Sequence, residues 1–309
     1  MSEGVKKASL KSGIVAIIGR SNVGKSTLLN RLVGEKVAIV STAPQTTRTQ
    51  IRAIFNEARG QIVFLDTPGM HICRHALDRA MIASINDALA GADVVLHLVD
   101  ATRRVGEEEN IVIGNLCKIN APVILGLNKA DKDLKHEGDY VLAWERRLDT
   151  KAGKIQKKIL PLRLSGLTGL NVDCLVDELF KRLPIGDPLY PDDVLTDFPR
   201  QMAIQDIIRE KLLAYLKEEM PFALAVLAER IIDRNPKLMV VHAVIYVERS
   251  SQKAIVIGSG GGLLKKIGEA ARLEIEDIYG KKVYLDLWVK VDKKWKQDHQ
   301  LLRQIGYVM

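Results

Sequence analysis

The chain has 309 residues, 47% hydrophobic and 27% charged, with 46 Lys and Arg against 38 Asp and Glu for a formal net charge of +8. That length exceeds what one core usually serves and the balance is that of globular material, so two domains are expected and a disordered or fibrous chain is excluded. Cys73, Cys117 and Cys174 are odd in number and lack C-x-x-C spacing, which argues against both a disulfide framework and a zinc site. The start Met-Ser-Glu-Gly-Val-Lys-Lys lacks the apolar core of a signal peptide and is too short for an Arg-rich leader. No later run reaches the ~18 apolar residues needed to span a bilayer, and the chain reads as cytoplasmic.

An apolar run, Ile14 to Ile18, delivers Gly19-Arg20-Ser21-Asn22-Val23-Gly24-Lys25-Ser26, and Thr27 to Leu32 follows. Strand, loop and helix around G-x-x-x-x-G-K-[ST] predict a phosphate cradle. Gly19 and Gly24 let the backbone curl so that the N–H groups of Ser21, Asn22, Val23 and Thr27 can face phosphates, and the helix that begins near Lys25 adds its positive end. Lys25 would reach the β and γ phosphates, and Ser26 would hold Mg²⁺. Gln45-Thr46-Thr47-Arg48 follows in a polar connection, and Thr47 is the threonine expected to complete the metal shell. Ile62 to Leu65 then leads to Asp66-Thr67-Pro68-Gly69. Asp66 is placed to bind Mg²⁺ through water, and the Gly69 N–H to meet a γ-phosphate oxygen. Alone, this tetrapeptide is also an ordinary Pro-Gly turn.

The apolar run Val123 to Leu127 delivers Asn128-Lys129-Ala130-Asp131. The Asp131 carboxylate can accept from N1–H and the 2-amino group of guanine, donors that adenine lacks, and discrimination on the order of 10⁴-fold follows when a buried polar group loses its partner. Asn128 would brace the loop and the Lys129 stem would cover the base. Four such residues are a weak signal alone and read equally as a solvated turn; after a phosphate loop at this distance they predict GTP. Backbone N–H groups of Ser165-Gly166-Leu167 could touch the guanine oxygen. Lys25, Thr47 and Gly69 are the residues expected to carry hydrolysis of GTP to GDP.

These motifs in this order, with Asn22 in the loop, Q-T-T-R, D-T-P-G and the C-terminal stretch, resemble the Era family of bacterial GTPases in the TrmE-Era-EngA group, from about Lys11 to Lys296. Ras-like GTPases place a water-orienting glutamine after D-x-x-G. Here that position is Met70, so slow intrinsic hydrolysis is expected. In the group, an asparagine matching Asn22 is associated with K⁺ beside the phosphates, where a cation can neutralise transition-state charge; the other reading of Asn22 is a local Asx turn.

Pro184, Pro188, Pro191 and Pro199 place a linker at 183–200. It divides a GTPase domain at 11–182 from a second domain at 201–309. In the first, strands near 14–18, 51–56, 62–66, 94–100, 123–127 and 160–164 alternate with helices, an α/β doubly wound mixed sheet. In the second, an amphipathic helix from Met202 to Lys217 precedes strands at Ala223 to Ile231 and Met239 to Val247. A turn, Gly258-Ser259-Gly260-Gly261, lies between helices, and a strand from Val283 to Val291 closes the domain. G-x-x-G alone says that two glycines flank a turn, but this order is that of a smaller α+β type II KH domain, and KH turns clamp about four nucleotides. The resemblance over Ile245 to Arg249, Leu264 to Gly268 and Leu287 to Val291 strengthens it.

Ile257, Gly258, Ser259, Gly260, Gly261, Lys265, Lys266, Lys290 and Lys293 are the expected RNA contacts. From Arg200 onward 19 basic residues face 14 acidic ones, and the lysines between Lys281 and Lys296 cluster as phosphate anchors do; a solvated basic face is the plainer reading. Relatives commonly place basic residues where Ser259 and Gly260 stand, which puts affinity in doubt more than mode. Ser165-Gly166 stands where Ser-Ala is usual. His71, Cys73 and His75 alternate as metal ligands can, but structural sites want four. Glu107 to Glu109 reads as a solvated helix start, and Trp288 as core rather than a base-stacking surface. The resemblance implies a GTP- and Mg²⁺-dependent switch that binds the 3′ region of small-subunit (16S) ribosomal RNA. It also implies a role with the 30S subunit precursor in small-subunit assembly, for a monomer with peripheral inner-membrane contact held open. The alternative is an RNA-binding scaffold whose GTP turns over too slowly to matter.

Overall fold

The computed structural model describes residues 10–41, 46–69, 76–149, 159–216 and 220–307. Met70 to His75, with the alternating His71, Cys73 and His75, lie outside them, as does Gln45. Two units are present. The first comprises residues up to Ala38, Gln50–Ile72 and Ile82–Asp197, and the second Ile39–Thr49, Cys73–Met81 and Phe198–Met309.

In the first unit, β1 (Lys11–Ile18) leads through the phosphate loop into α1 (Lys25–Val33), and β2 (Ile51–Glu57) and β3 (Gly60–Asp66) form a hairpin. After α2 (Ala76–Ala90) the chain alternates through β4 (Val94–Asp100), α3 (Glu107–Leu116), β5 (Val123–Asn128), α4 (Glu137–Asp149), β6 (Leu160–Arg163) and α5 (Val172–Arg182). Strand order is β2-β3-β1-β4-β5-β6, parallel throughout except for β2 against β3. Every residue of β3, β4 and β5 is buried, as a sheet covered on both faces requires. Parallel pairing has a consequence for function: the loops after β1, β3, β5 and β6 all open at the same, C-terminal edge, where ligands of wound sheets bind.

The proline-rich segment is not an unsupported tether. Its backbone bridges Ile185 to Lys11 and Thr196 to Ala53, and Ile54 N–H donates to Leu195 O at 2.9 Å. It thereby occupies hydrogen-bonding groups of the edge strand β2 that would otherwise be open to another chain.

In the second unit, α6 (Arg200–Tyr215) and α7 (Met220–Ala223) precede β7 (Leu224–Asn235) and β8 (Leu238–Val247); α8 (Ser250–Ile257), the glycine turn and α9 (Gly262–Tyr279) cross over to β9 (Lys282–Val291), and α10 (His299–Gln304) is the last helix. The sheet order is β7-β8-β9, with β7 antiparallel and β9 parallel to β8. One face carries the core, in which Ile204, Ile208 and Leu212 of α6 and Ile267, Ala271 and Ile275 of α9 meet Val241, Val283 and Val289. The other face is covered in part by Trp295, Leu301, Leu302, Ile305 and Tyr307, which pack on Ala225, Leu227 and Tyr246. Among the described residues, no helix is long and apolar enough to cross a membrane, and no cluster of metal-ligand side chains occurs.

Candidate guanine-nucleotide site and KH turn

The phosphate loop is held by its own lysine. Lys25 Nζ donates to Gly19 O at 3.1 Å and to Arg20 O at 3.0 Å, and burial pushes the ammonium below its usual range against the opposing pull of Asp66 and Glu109. Gly24 has φ 100° and a Cβ there would lie 2.5 Å from Asn128 Nδ2, so the position admits only glycine. Asn22 adopts φ 64°, the left-handed region that asparagine tolerates best among larger residues.

Beside the loop, Ser26 Oγ donates to Asp66 Oδ2 at 2.7 Å. A hydroxyl and a carboxylate this close, at the end of β3 and the start of α1, are hard oxygen donors of the kind Mg²⁺ takes, and they fit that ion. Gly69 stands against Ser21, where a Cβ would lie 2.7 Å from the Ser21 nitrogen. That contact brings the D-T-P-G turn onto the phosphate loop. Thr67 Oγ1 fixes the turn by donating to Ile17 O at 2.9 Å.

The N-K-x-D loop and the phosphate loop are joined through Asn128. Its Nδ2 donates to Val23 O at 2.7 Å, and its Oδ1 accepts from Gly166 N–H at 3.0 Å, so one amide ties the phosphate loop to the Ser165-Gly166 turn. Ser165 Oγ donates to Asp131 Oδ1 at 2.5 Å and itself accepts from Thr168 N–H at 3.1 Å. Asp131 is exposed at the edge of this cluster with its carboxylate orientation fixed by Ser165, and Leu167 is exposed beside it. Lys129, at φ 66°, spans the site: its Nζ donates to Asp100 Oδ2 at 2.6 Å and to Asn22 O at 3.2 Å. Burial would raise the Asp100 carboxyl, but hydrogen bonds from Lys129 and Thr102 outweigh it and hold it below the usual range. The structure thus brings together all the expected nucleotide residues from Gly19 to Thr27, Asp66, Gly69, Asn128, Lys129, Asp131 and Ser165 to Leu167. Thr47 is grouped instead with the second unit and is buried there.

Sequence reasoning missed the buried support of the loop. Glu109 is not a solvated helix-start residue: it is fully buried, its Oε2 is 2.6 Å from Arg20 Nε and its Oε1 is 2.8 Å from His97 Nε2. Trp144 Nε1 donates to His97 Nδ1 at 3.1 Å, so Nδ1 is the acceptor and the proton toward Glu109 is carried on Nε2. Burial alone would raise the Glu109 carboxyl; the His97 hydrogen bond and the Arg20 charge bring it below the usual range. A charge at the end of Glu107-Glu108-Glu109 carries no local mark of this, because its partners come from β4 and the phosphate loop.

In the second unit, the glycine turn joins α8 to α9. Gly258 has φ 71° and ψ 177°, a region open essentially to glycine alone, and a Cβ there would lie 2.6 Å from Leu263 Cβ. Gly260 is also left-handed, with open space around it, so the backbone of Ser259-Gly260 is approachable. Lys265 and Lys266 are exposed in the first turns of α9, and a groove beside the turn is lined by Gly261, Leu264, Lys265, Gly268, Leu285 and Leu287. Lys290 is exposed as well but lies on the alternate face of β9 from Leu285 and Leu287. Trp288 corrects an expectation: it is 67% exposed, whereas Trp295 is fully buried. Strand alternation decides this, since Leu287 and Val289 take the core side.

Comparison with known proteins agrees with both units. Residues 14–129 match the 50S ribosome-binding GTPase family and residues 224–296 the KH domain family. The chain is 40% identical over 299 residues to the GTPase Era of Halothermothrix orenii, covering 97% of this chain and 99% of that one. It is 43% identical over 300 residues to the GTPase Era of Carboxydothermus hydrogenoformans, covering 97% and 98%. Among solved structures, Era in complex with MgGDPNP and nucleotides 1506–1542 of 16S ribosomal RNA superposes with a TM-score of 0.88 at 38% identity, over 97% of this chain and all of that one. A single-residue variant of Aquifex aeolicus Era bound to GDP and AlF₄⁻ gives a TM-score of 0.87 at the same identity and coverage. A phosphate loop tied to its N-K-x-D loop and a KH domain, matched nearly end to end by these relatives, place the chain in the Era family of GTPases.

Proposed function

We propose that this GTPase is a nucleotide-gated switch that binds 16S ribosomal RNA near its 3′ end and acts on the 30S precursor during small-subunit assembly in the bacterial cytoplasm. The observation that carries the reading is the near-complete superposition on an Era structure holding both MgGDPNP and nucleotides 1506–1542 of that RNA, together with an open glycine turn in this chain. Mg²⁺, when bound by Ser26, Thr47 and Asp66, would neutralise charge on the β and γ phosphates. Lys25 adds a second cation there, and the Gly69 N–H donates to a γ oxygen. Asp131 selects guanine, with Asn128 and Lys129 holding its loop.

Asn22 lies in the phosphate loop in the left-handed region, and the proposal includes a K⁺ at its side chain. Hydrolysis is then faster in K⁺ than in Na⁺, and equal rates in the two salts would remove that part. The test of the main reading is titration of a 3′-terminal 16S RNA fragment, and a scrambled control, into protein loaded with GDP or a non-hydrolysable analogue at two salt concentrations. Selective, nucleotide-dependent binding supports the switch; equal and steeply salt-sensitive binding of both RNAs would sink it. A second reading, a scaffold with negligible turnover, is favoured by Met70, whose thioether cannot orient water. Single-turnover hydrolysis with and without RNA separates the two.

A further inference from the structure

The strand β9 has two functional sides. Leu285 and Leu287 face the groove beside the glycine turn, whereas Tyr284 and Trp288 point the other way and are 60% and 67% exposed. Large aromatic residues lose much of their value when left in water, and these two are separated by two strand repeats, four residues or about 13 Å along the chain. They are not loose. Trp288 Nε1 donates to Asp286 Oδ2 at 3.0 Å, and the same oxygen lies 3.1 Å from His242 Nδ1. The one acid between the aromatics is therefore engaged on the sheet.

Two cations lie on the same face, and Glu229, Asp292 and Asp298 act on its Tyr246 end. Lys290 Nζ lies 5.3 Å from the Tyr246 ring, and Arg230, exposed on β7, pairs in register with His242. The described C-terminal elements pack on Ala225, Leu227, Val244 and Tyr246 of this face, while Tyr284 and Trp288 stay exposed. Because β9 is an edge strand, a chain leaving the turn groove can round it and reach this face without crossing the sheet.

We propose that this aromatic face is a second contact for single-stranded RNA, in which bases stack on Tyr284 and Trp288 while Lys290 and Arg230 meet phosphates. It rests on the RNA-binding reading above and extends it from the turn, which clamps about four nucleotides, to a longer stretch. Stacking suits the observation: the two rings are spaced along one strand with Lys290 and Arg230 on the same face, the pattern of base platforms, and Val240, Ile232 and Val244, in register with them, supply aliphatic floor beside each ring.

The protein supplies its own probe. Of its three tryptophans, Trp144 and Trp295 are fully buried and Trp288 alone is exposed, so a change of indole emission on RNA addition reports Trp288. The full chain would be titrated with a four-nucleotide and a sixteen-nucleotide single strand from the 16S 3′ region. Only the longer RNA is expected to quench emission, and Trp288→Ala is expected to weaken it about 5- to 100-fold, the range for one lost base stack, with little effect on the shorter RNA. Trp288→Phe should retain most of the affinity, and Tyr284→Ala should weaken the longer RNA independently. Unchanged emission together with unchanged affinity of Trp288→Ala and Tyr284→Ala for the longer RNA would overturn the platform while leaving the turn. Failure of the unmodified protein to bind either RNA would overturn both readings. Loss of self-association or of a protein contact in Trp288→Ala, with RNA affinity intact, would assign the face to protein instead.

Discussion

A carboxylate removed from water has to find cations or donors, and Glu109 finds Arg20 of the phosphate loop and His97 of β4. Arg20 in turn lends its backbone oxygen to Lys25, so the buried carboxylate supports the lysine proposed to reach the phosphates. Removing one partner of a buried pair leaves the other charge unpaired. Glu109→Gln is accordingly expected to cost about 3–5 kcal/mol in urea denaturation and to weaken nucleotide binding. The pH dependence has a definite sign. The Glu109 carboxyl is held below its usual range in the folded chain. Its contribution is therefore present at neutral pH, begins to fade below the unfolded carboxylate pKa of about 4.3, and is lost as pH falls through the folded value. A stability profile of Glu109→Gln should be flatter across that acidic window. Ser165 bears on the proposed guanine contact, Asp131, rather than on the phosphate loop. It fixes Asp131 through a short hydrogen bond to a charged acceptor, and such bonds are worth about 1.5–3 kcal/mol. Ser165→Ala should lower the stability of the first unit by about that amount and, by freeing the Asp131 carboxylate, also weaken GTP binding, two losses that calorimetry and equilibrium titration read separately.

At the scale of elements, the segment Ile39–Thr49 is the one whose place was least legible in the sequence. It carries no periodicity, and its anchors lie far along the chain. Arg48, nearly fully buried, donates to Leu224 O at 3.0 Å and Tyr307 Oη at 3.1 Å, Thr49 Oγ1 donates to Gly306 O at 2.9 Å, and Arg209 donates to Thr46 O. The phosphate loop, N-K-x-D and the glycine turn could be read because each needs particular residues at fixed local spacing, and the strands that deliver them are continuous apolar runs. Asp100, Glu109 and Arg48 could not, because a buried charge is specified by partners from other elements; Trp288 was misjudged because its apolar neighbours define the opposite face of β9. The Arg48 anchor is testable. Arg48→Ala leaves a buried carbonyl and hydroxyl without this donor, at about 1–3 kcal/mol each. The second unit should then unfold at lower urea than in the unmodified chain, with the transition of the first unit unmoved; coincident loss of both transitions would contradict a role confined to the second unit.

For the whole molecule, a ligand can shift one state against another only by its difference in affinity for them. The segment that holds Thr47 is bonded within the second unit through Arg48 and Thr49, while the Thr47 role proposed above engages Mg²⁺ beside Ser26 and Asp66 when GTP is bound. On that proposal, this short segment is the element on which nucleotide and RNA states compete or cooperate. Thr47→Ala removes the proposed metal ligand and leaves the Arg48 and Thr49 bonds in place. RNA affinity of the GDP-loaded protein is expected to be unchanged by it, while the difference between analogue-loaded and GDP-loaded protein collapses from a typical coupling of about 5- to 150-fold toward one. Reciprocity supplies an internal check, since RNA must alter analogue affinity by the same factor in the unmodified chain and by none in the variant. Full nucleotide dependence of RNA binding in Thr47→Ala would place the coupling elsewhere than Thr47, and would leave Arg48 an anchor of the second unit alone.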